Sequence, residues 1–130
     1  MEVVAWVSRH RPLPFQEEHL RARLGPCKIV RISGTFRGSE EVIEKVRSVG
    51  ARYAVVVLPL SMVSRLVKEN SVTWLWAEMR QVHKDCPGEK CPLFDPSSDV
   101  VMRGRDGRWR HLRFVGFKVI KELRLVLEDW

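Results

Sequence analysis

The sequence predicts a small mixed α/β fold of Rossmann-like type, a mostly parallel sheet with helices on both faces and a C-terminal antiparallel β-hairpin. Three observations predict it. Short apolar runs alternate with helix-spaced segments through residues 1–80; those runs lack the polar alternation of half-exposed strands; and Asp106-Gly107 separates two β-rich segments near the C-terminus. The 130 residues suit one domain, 1–130, divided into a βα-repeat core over 1–80, a Cys-containing loop over 81–98 and a basic hairpin over 99–130.

Glu2 to Val7 reads as a buried strand, because consecutive β-branched and aromatic residues suit a sheet covered on both sides. After the turn around Pro12 and Pro14, Phe15 to Leu24 has helical spacing, and Gly25 stands where a left-handed cap is wanted. Lys28 to Ile32 is a second strand. Ser33-Gly34-Thr35-Phe36 is a loop, and Ser39 caps a helix with Glu40 and Glu41 in its first turn and Gly50 at its close. Tyr53 to Leu58 is the strongest strand, and Pro59-Leu60-Ser61 opens a third helix ending near Asn70. Val72 to Ala77 is a fourth strand, with Trp74 and Trp76 expected in the core. Gln81 to Ser98 reads as a loop. Asp99 to Arg105 and Arg108 to Val119 then form a hairpin across a type I′ turn, and Leu123 to Leu127 offers one more short strand.

In open α/β sheets, ligands bind beyond the carboxyl ends of the strands. Here those ends carry Ser8-Arg9-His10-Arg11, Ser33-Gly34-Thr35, Pro59-Leu60-Ser61 and Glu78-Met79-Arg80. The inventory suits a phosphate: Arg9 and Arg11 for bidentate contact, Ser8, Ser33, Thr35 and Ser61 for neutral hydrogen bonds, and Gly34 for close backbone approach. His10 is the neutral-pH proton carrier on the rim and the candidate general acid or base. As bland alternatives, His10 is a strand-end histidine bonded to backbone, and the hydroxyls are ordinary turn and cap groups. Neither the dinucleotide fingerprint nor the Walker phosphate loop occurs, so hydride transfer and nucleoside-triphosphate chemistry lack their expected motifs.

The apolar first strand ending in Ser8-Arg9-His10, the proline-containing turn, the acidic helix start Pro14-Phe15-Gln16-Glu17-Glu18 and the segment Val57-Leu58-Pro59-Leu60-Ser61 resemble small CRISPR-associated Rossmann-like proteins. Some of these are ring nucleases, which open cyclic oligoadenylates. The likeness covers the first half of the chain. It implies cleavage without a metal, a ribose 2′-hydroxyl attacking the adjacent phosphodiester, with His10 as acid or base, Arg9 or Arg11 stabilising charge, and Ser8 and Thr35 positioning. Such ligands are cyclic and symmetric, so the resemblance also implies a homodimer. The cysteine loop and basic hairpin depart from that pattern.

His83, Cys86 and Cys91 place three soft ligands within nine residues, a spacing compatible with part of a structural zinc site whose fourth ligand is Cys27, His111 or Asp95. Paired Cys-x-x-Cys knuckles are absent. A Cys86–Cys91 disulfide and a loop with reduced thiols are the alternatives, and no other cofactor is expected.

The net charge of +7 points to an anionic partner. Between Arg103 and Arg124, eight cations stand against two carboxylates, so most of the excess is C-terminal. Arginines outnumber lysines 16 to 7, which either reflects a GC-rich or thermophilic genome or selection for phosphate. Arg105, Arg108, Arg110 and Arg113, interleaved with Trp109, His111 and Phe114, make a nucleic-acid-binding hairpin the second functional reading, from a mobile element or virus. Its plain counterpart is a charged edge strand that deters aggregation. A third reading is a small assembly or regulatory subunit. No apolar run reaches the roughly 20 residues of a bilayer span, and the N-terminus lacks a secretory pattern. A soluble cytoplasmic protein with no membrane partner is therefore expected.

Overall fold

The computed structural model describes residues 1–88, 91–124 and 126–130, with Lys84 described by its backbone alone. Six strands and three helices follow the chain as β1 Glu2–Val7, α1 Pro14–Leu24, β2 Cys27–Ile32, α2 Ser39–Ser48, β3 Tyr53–Val56, α3 Leu60–Leu66, β4 Thr73–Cys86, β5 Asp99–Arg103 and β6 Trp109–Val119. They form one mixed sheet in the order β2-β1-β3-β4-β6-β5. The first four strands pair in parallel; β6 then lies antiparallel to both β4 and β5.

The unalternating strands β1 and β3 are apolar because both sheet faces are covered. Ala5, Val7, Ala54, Val56 and Trp74 point to one face and pack with Val42, Ile43 and Val46 of α2 and Val63 and Leu66 of α3. Val4, Trp6, Val55 and Leu75 point to the other and pack with Leu20 of α1. Alternate residues of one strand thus enter two cores. Gly25 and Gly50 close α1 and α2 at φ 76° and 72°, backbone states that favour glycine.

Several boundaries differ from the sequence-based expectation, each for a local reason. Ser39 is the first helical residue of α2 and not its cap; Gly38 holds the cap position, and Ser39 Oγ donates to the Met62 carbonyl at 3.1 Å, tying α2 to α3. The third strand stops at Val56 and α3 at Leu66, shorter than read. The fourth strand does not end at Ala77: β6 supplies a ladder that carries it to Cys86, so residues 81–86 of the expected 81–98 loop are strand and Glu78-Met79-Arg80 lies mid-strand rather than at a rim. No strand forms among the described residues of 123–127, and Leu125 lies outside them.

The hairpin is present, but its turn is wider than type I′. That turn needs positive φ at both central residues; Gly107 has φ 78° while Asp106 does not. The Gly104 N–H donates to the Arg108 carbonyl at 2.8 Å and the Gly107 N–H to the Gly104 carbonyl at 3.0 Å, closing a three-residue loop with a glycine bulge.

Trp74 is 2% exposed and its indole N–H donates to the Glu69 carbonyl at 3.1 Å, whereas Trp76, expected beside it in the core, is 57% exposed. Trp76 shares the Trp74 face but lies past the part of it that α2 and α3 cover. Among the described residues, no helix is long and apolar enough to cross a membrane. The two tryptophans make a direct test of the packing. In urea titrations, Trp74→Ala is expected to cost about 3–5 kcal/mol, and Trp76→Ala no more than about 0.5 kcal/mol.

Candidate functional site

At the end of β1 the chain turns sharply and is tied at several points. Ser8, 6% exposed, accepts the His10 N–H on its Oγ at 3.1 Å, and the Trp6 indole N–H donates to the His10 carbonyl at 2.9 Å. The Arg31 guanidinium, from β2, donates to the Arg9 carbonyl. The Val57 N–H donates to the Val7 carbonyl at 3.0 Å, holding the end of β3 beside that of β1. A polar tip directly after an apolar strand is what this turn requires: the hydroxyl satisfies a backbone donor that the strand no longer pairs.

The ends of β1, β2 and β3 enclose a cleft of about 410 Å³ lined by Ser8, Arg9 and His10, by Gly34, Thr35 and Phe36, and by Val57, Leu58, Pro59 and Met62. Polar groups from two strand ends face an apolar wall from the third. Arg9, His10 and Thr35 are exposed, and Gly34 has φ 122°, a conformation that side chains resist. Ser33, Ser61 and Arg11, expected on the same rim, are exposed but do not line the cleft. A larger basin of about 900 Å³ lies over α2 between Arg37 and Arg65. Two of its cations are paired, Arg65 with Glu40 at 2.7 Å and Lys45 with Glu41 at 3.4 Å, and Arg37 and Glu44 complete its charged lining.

A second polar assembly occupies the antiparallel end of the sheet. His83 and Cys86 on β4, Cys91 in the following loop and His111 on β6 bring one ligand-capable atom each to within 4.8 Å of one another. His83 Nε2 lies 3.0 Å from Cys91 Sγ and 3.1 Å from His111 Nδ1, and Cys91 Sγ lies 3.6 Å from His111 Nδ1. Cys86, Cys91 and His111 are buried. The three thiols are free, which excludes the Cys86–Cys91 disulfide in this structure, and Cys27 belongs to the α1 core, away from the cluster.

Behind His111 stands Asp99, a group the sequence reading did not single out. Its side chain is fully buried; Oδ2 lies 2.6 Å from His111 Nε2, and Arg113 grips both oxygens from Nε and an Nη at 2.8 and 3.0 Å. The Ser98 hydroxyl and the Asp95 N–H complete its partners. Arg113 and these donors outweigh burial and hold the Asp99 carboxyl well below the usual carboxylate range. Asp95, the acidic residue among the fourth-ligand candidates, is turned to Ser97 instead.

Arg113 is therefore an internal partner, while Arg105, Arg108 and Arg110 remain exposed, Arg110 loosely paired to Asp106 at 3.7 Å. The hairpin register explains the difference. A type I′ turn would set Asp99 opposite Phe114, but the wider loop shifts it opposite Arg113. The signal was Gly104, three residues before Gly107.

No protein-family model, curated protein or solved structure matches this chain. Its assignment rests on the sites themselves. For the second site, Arg113→Met is expected to lower stability by about 1.5–3 kcal/mol by stripping a buried carboxylate of its fork, and Arg110→Met by less than about 0.5 kcal/mol, both read from denaturant midpoints.

Proposed function

We propose that the cleft at the ends of β1, β2 and β3 binds a phosphate-bearing nucleotide. In this reading residues 1–80 are a Rossmann-like unit. The observation that carries it is placement. β2 and β3 flank β1 on opposite sides and α1 and α2 cover opposite faces; a strand order that reverses at β1 opens a crevice between β1 and β3, and the cleft lies there. Its volume is at the small end of ligand sites, sufficient for one nucleotide unit. Arg9 supplies charge, Thr35 a hydroxyl, Gly34 an unobstructed backbone and Phe36 an aromatic surface for a base.

The reading extends to opening of a cyclic oligoadenylate without a metal. The ribose 2′-hydroxyl gives up its proton to water as its oxygen bonds the neighbouring phosphorus, the 5′-oxygen leaves with a proton delivered by His10, and the strand is left with a 2′,3′-cyclic phosphate. Arg9 stabilises the charge that builds on the phosphoryl oxygens. A symmetric ring larger than one cleft calls for two rims, so a homodimer accompanies this step.

A second reading places nucleic acid on the hairpin tip, favoured by the exposure of Arg105, Arg108 and Arg110. Three neutralised phosphates would reduce affinity roughly 40-fold on duplex DNA, and roughly 20-fold on a single strand, between about 50 and 200 mM salt.

Calorimetry with adenosine monophosphate and with cyclic tetra-adenylate, in buffer without added divalent metal, tests the first reading. Binding is expected, weakened at least about tenfold in Arg9→Ala, with a linear product that His10→Ala abolishes. Binding without product confines the site to recognition; no heat with either ligand removes it. Salt-sensitive binding of single-stranded DNA, lost in an Arg108→Ala/Arg110→Ala double variant but kept in His10→Ala, transfers the function to the hairpin.

A further inference from the structure

We infer that His83 Nε2, Cys86 Sγ, Cys91 Sγ and His111 Nδ1 bind one zinc ion in a closed tetrahedral site that pins the end of β4 and Cys91 to the β5–β6 hairpin.

The donor set comes first. Two sulfurs and two imidazole nitrogens around one point are the ligands of a four-coordinate zinc site. Zn–N bonds of about 2.0 Å and Zn–S bonds of about 2.3 Å set ligand atoms some 3.3–3.8 Å apart. The gaps of 3.0, 3.1 and 3.6 Å among His83, Cys91 and His111 lie close to those edges, and Cys86 Sγ falls within 4.8 Å of all three. Two thiolates cancel the ion's two charges, so burying the site leaves no net charge in the interior.

The backbone is shaped to make this meeting possible. His83 and Cys86 are three residues apart, which on a regular strand puts them on opposite faces. The β4–β6 register slips between His83 and Cys86, and Asp85 within that slip has φ 55°, the one described residue other than glycine with positive φ. That bulge returns Cys86 to the face of His83. His111 is the direct cross-strand partner of His83. Beyond Cys86, the Gly88 N–H points at Cys86 Sγ, 3.4 Å away, a donor suited to a thiolate. A Cβ on Gly88, at φ 93°, would meet the Trp109 ring at 3.2 Å.

The proton arrangement agrees. Every other partner of Asp99 is a donor, the Arg113 fork, the Ser98 hydroxyl and the Asp95 N–H. Asp99 therefore accepts from His111 Nε2, and Nδ1 is the ring nitrogen that faces the cluster. A carboxylate fixing a histidine's outer N–H while its inner nitrogen faces the metal is the supporting geometry zinc sites use. Four protein ligands leave no open position for water or substrate, so the site is structural and independent of the nucleotide cleft.

The test uses the full chain from cells grown with zinc and purified without chelator. Elemental analysis is expected to find about one zinc per chain, and zinc-edge X-ray absorption a first shell of two sulfurs and two nitrogens. A Co²⁺-loaded sample should show thiolate charge-transfer bands and intense visible absorption of tetrahedral cobalt. Cys91→Ser and His111→Ala should each reduce bound zinc at least tenfold, while Cys27→Ala, a buried thiol outside the cluster, keeps it. Should the ligand variants fail to fold, the absorption spectrum of the unaltered chain decides. The proposal is overturned by less than a tenth of an equivalent of zinc in the unaltered chain after refolding with the metal, by a first shell without sulfur, or by a folded Cys91→Ser variant that retains full zinc.

Discussion

The fold depends on one strand serving two neighbours that run in opposite directions. β4 gives β3 only Thr73, Trp74 and Leu75 in parallel pairing, then pairs with β6 from Leu75 to Cys86. Without β6, the residues past Leu75 would have no strand partner for their backbone donors and acceptors. With it, the sheet continues beyond the βα half and creates a second structural environment. Each register slip along this ladder turns a side chain that strict alternation would misplace. The slip that skips Val115 lets Phe114 and Phe117, three apart, both reach the α1 face, where they meet Phe15 and His19.

The two halves use their polar groups in opposite ways. At the parallel end, backbone carbonyls and hydroxyls tie down the turn after β1, and the side chains of Arg9 and His10 are left facing solvent. At the antiparallel end the polar groups are consumed internally, in a chain from the His/Cys cluster through His111 and Asp99 to Arg113. Free charge beside an apolar wall suits the proposed ligand site; a satisfied network around a buried carboxylate suits a structural role.

Much of this was legible in residue order. The βα alternation, both sheet faces and the meeting of residues 8–10 with 34–35 follow from apolar runs and from the parallel direction that crossovers impose. Three of the four cluster residues stand close in the chain. What order alone hides is register. A type I′ reading of Asp106-Gly107 and the observed bulged loop differ by one residue, and that residue decides whether Asp99 meets Phe114 or Arg113. The extension of β4 through polar Glu78, Arg80 and Gln81 was equally hidden, because its cause is a partner strand more than thirty residues downstream. Trp76 looked like core for the same reason: hydrophobicity marks a strand, while exposure depends on how far the helices reach.

Separation along the chain also has a temporal side. The neighbours β1, β2 and β3 and their helices are complete within the first 66 residues, although β1 reaches β3 across α1, β2 and α2, Val4 pairing with Tyr53. The far ladder must wait for β6, since its central strand cannot pair until residues 109–119 exist. Because synthesis delivers the N-terminal residues first, a nascent chain leaving the ribosome would set those layers before the far ladder. Until then β4 is a template awaiting its complement, and that interval is when the molecule is most open to proteolysis or to pairing with a stranger.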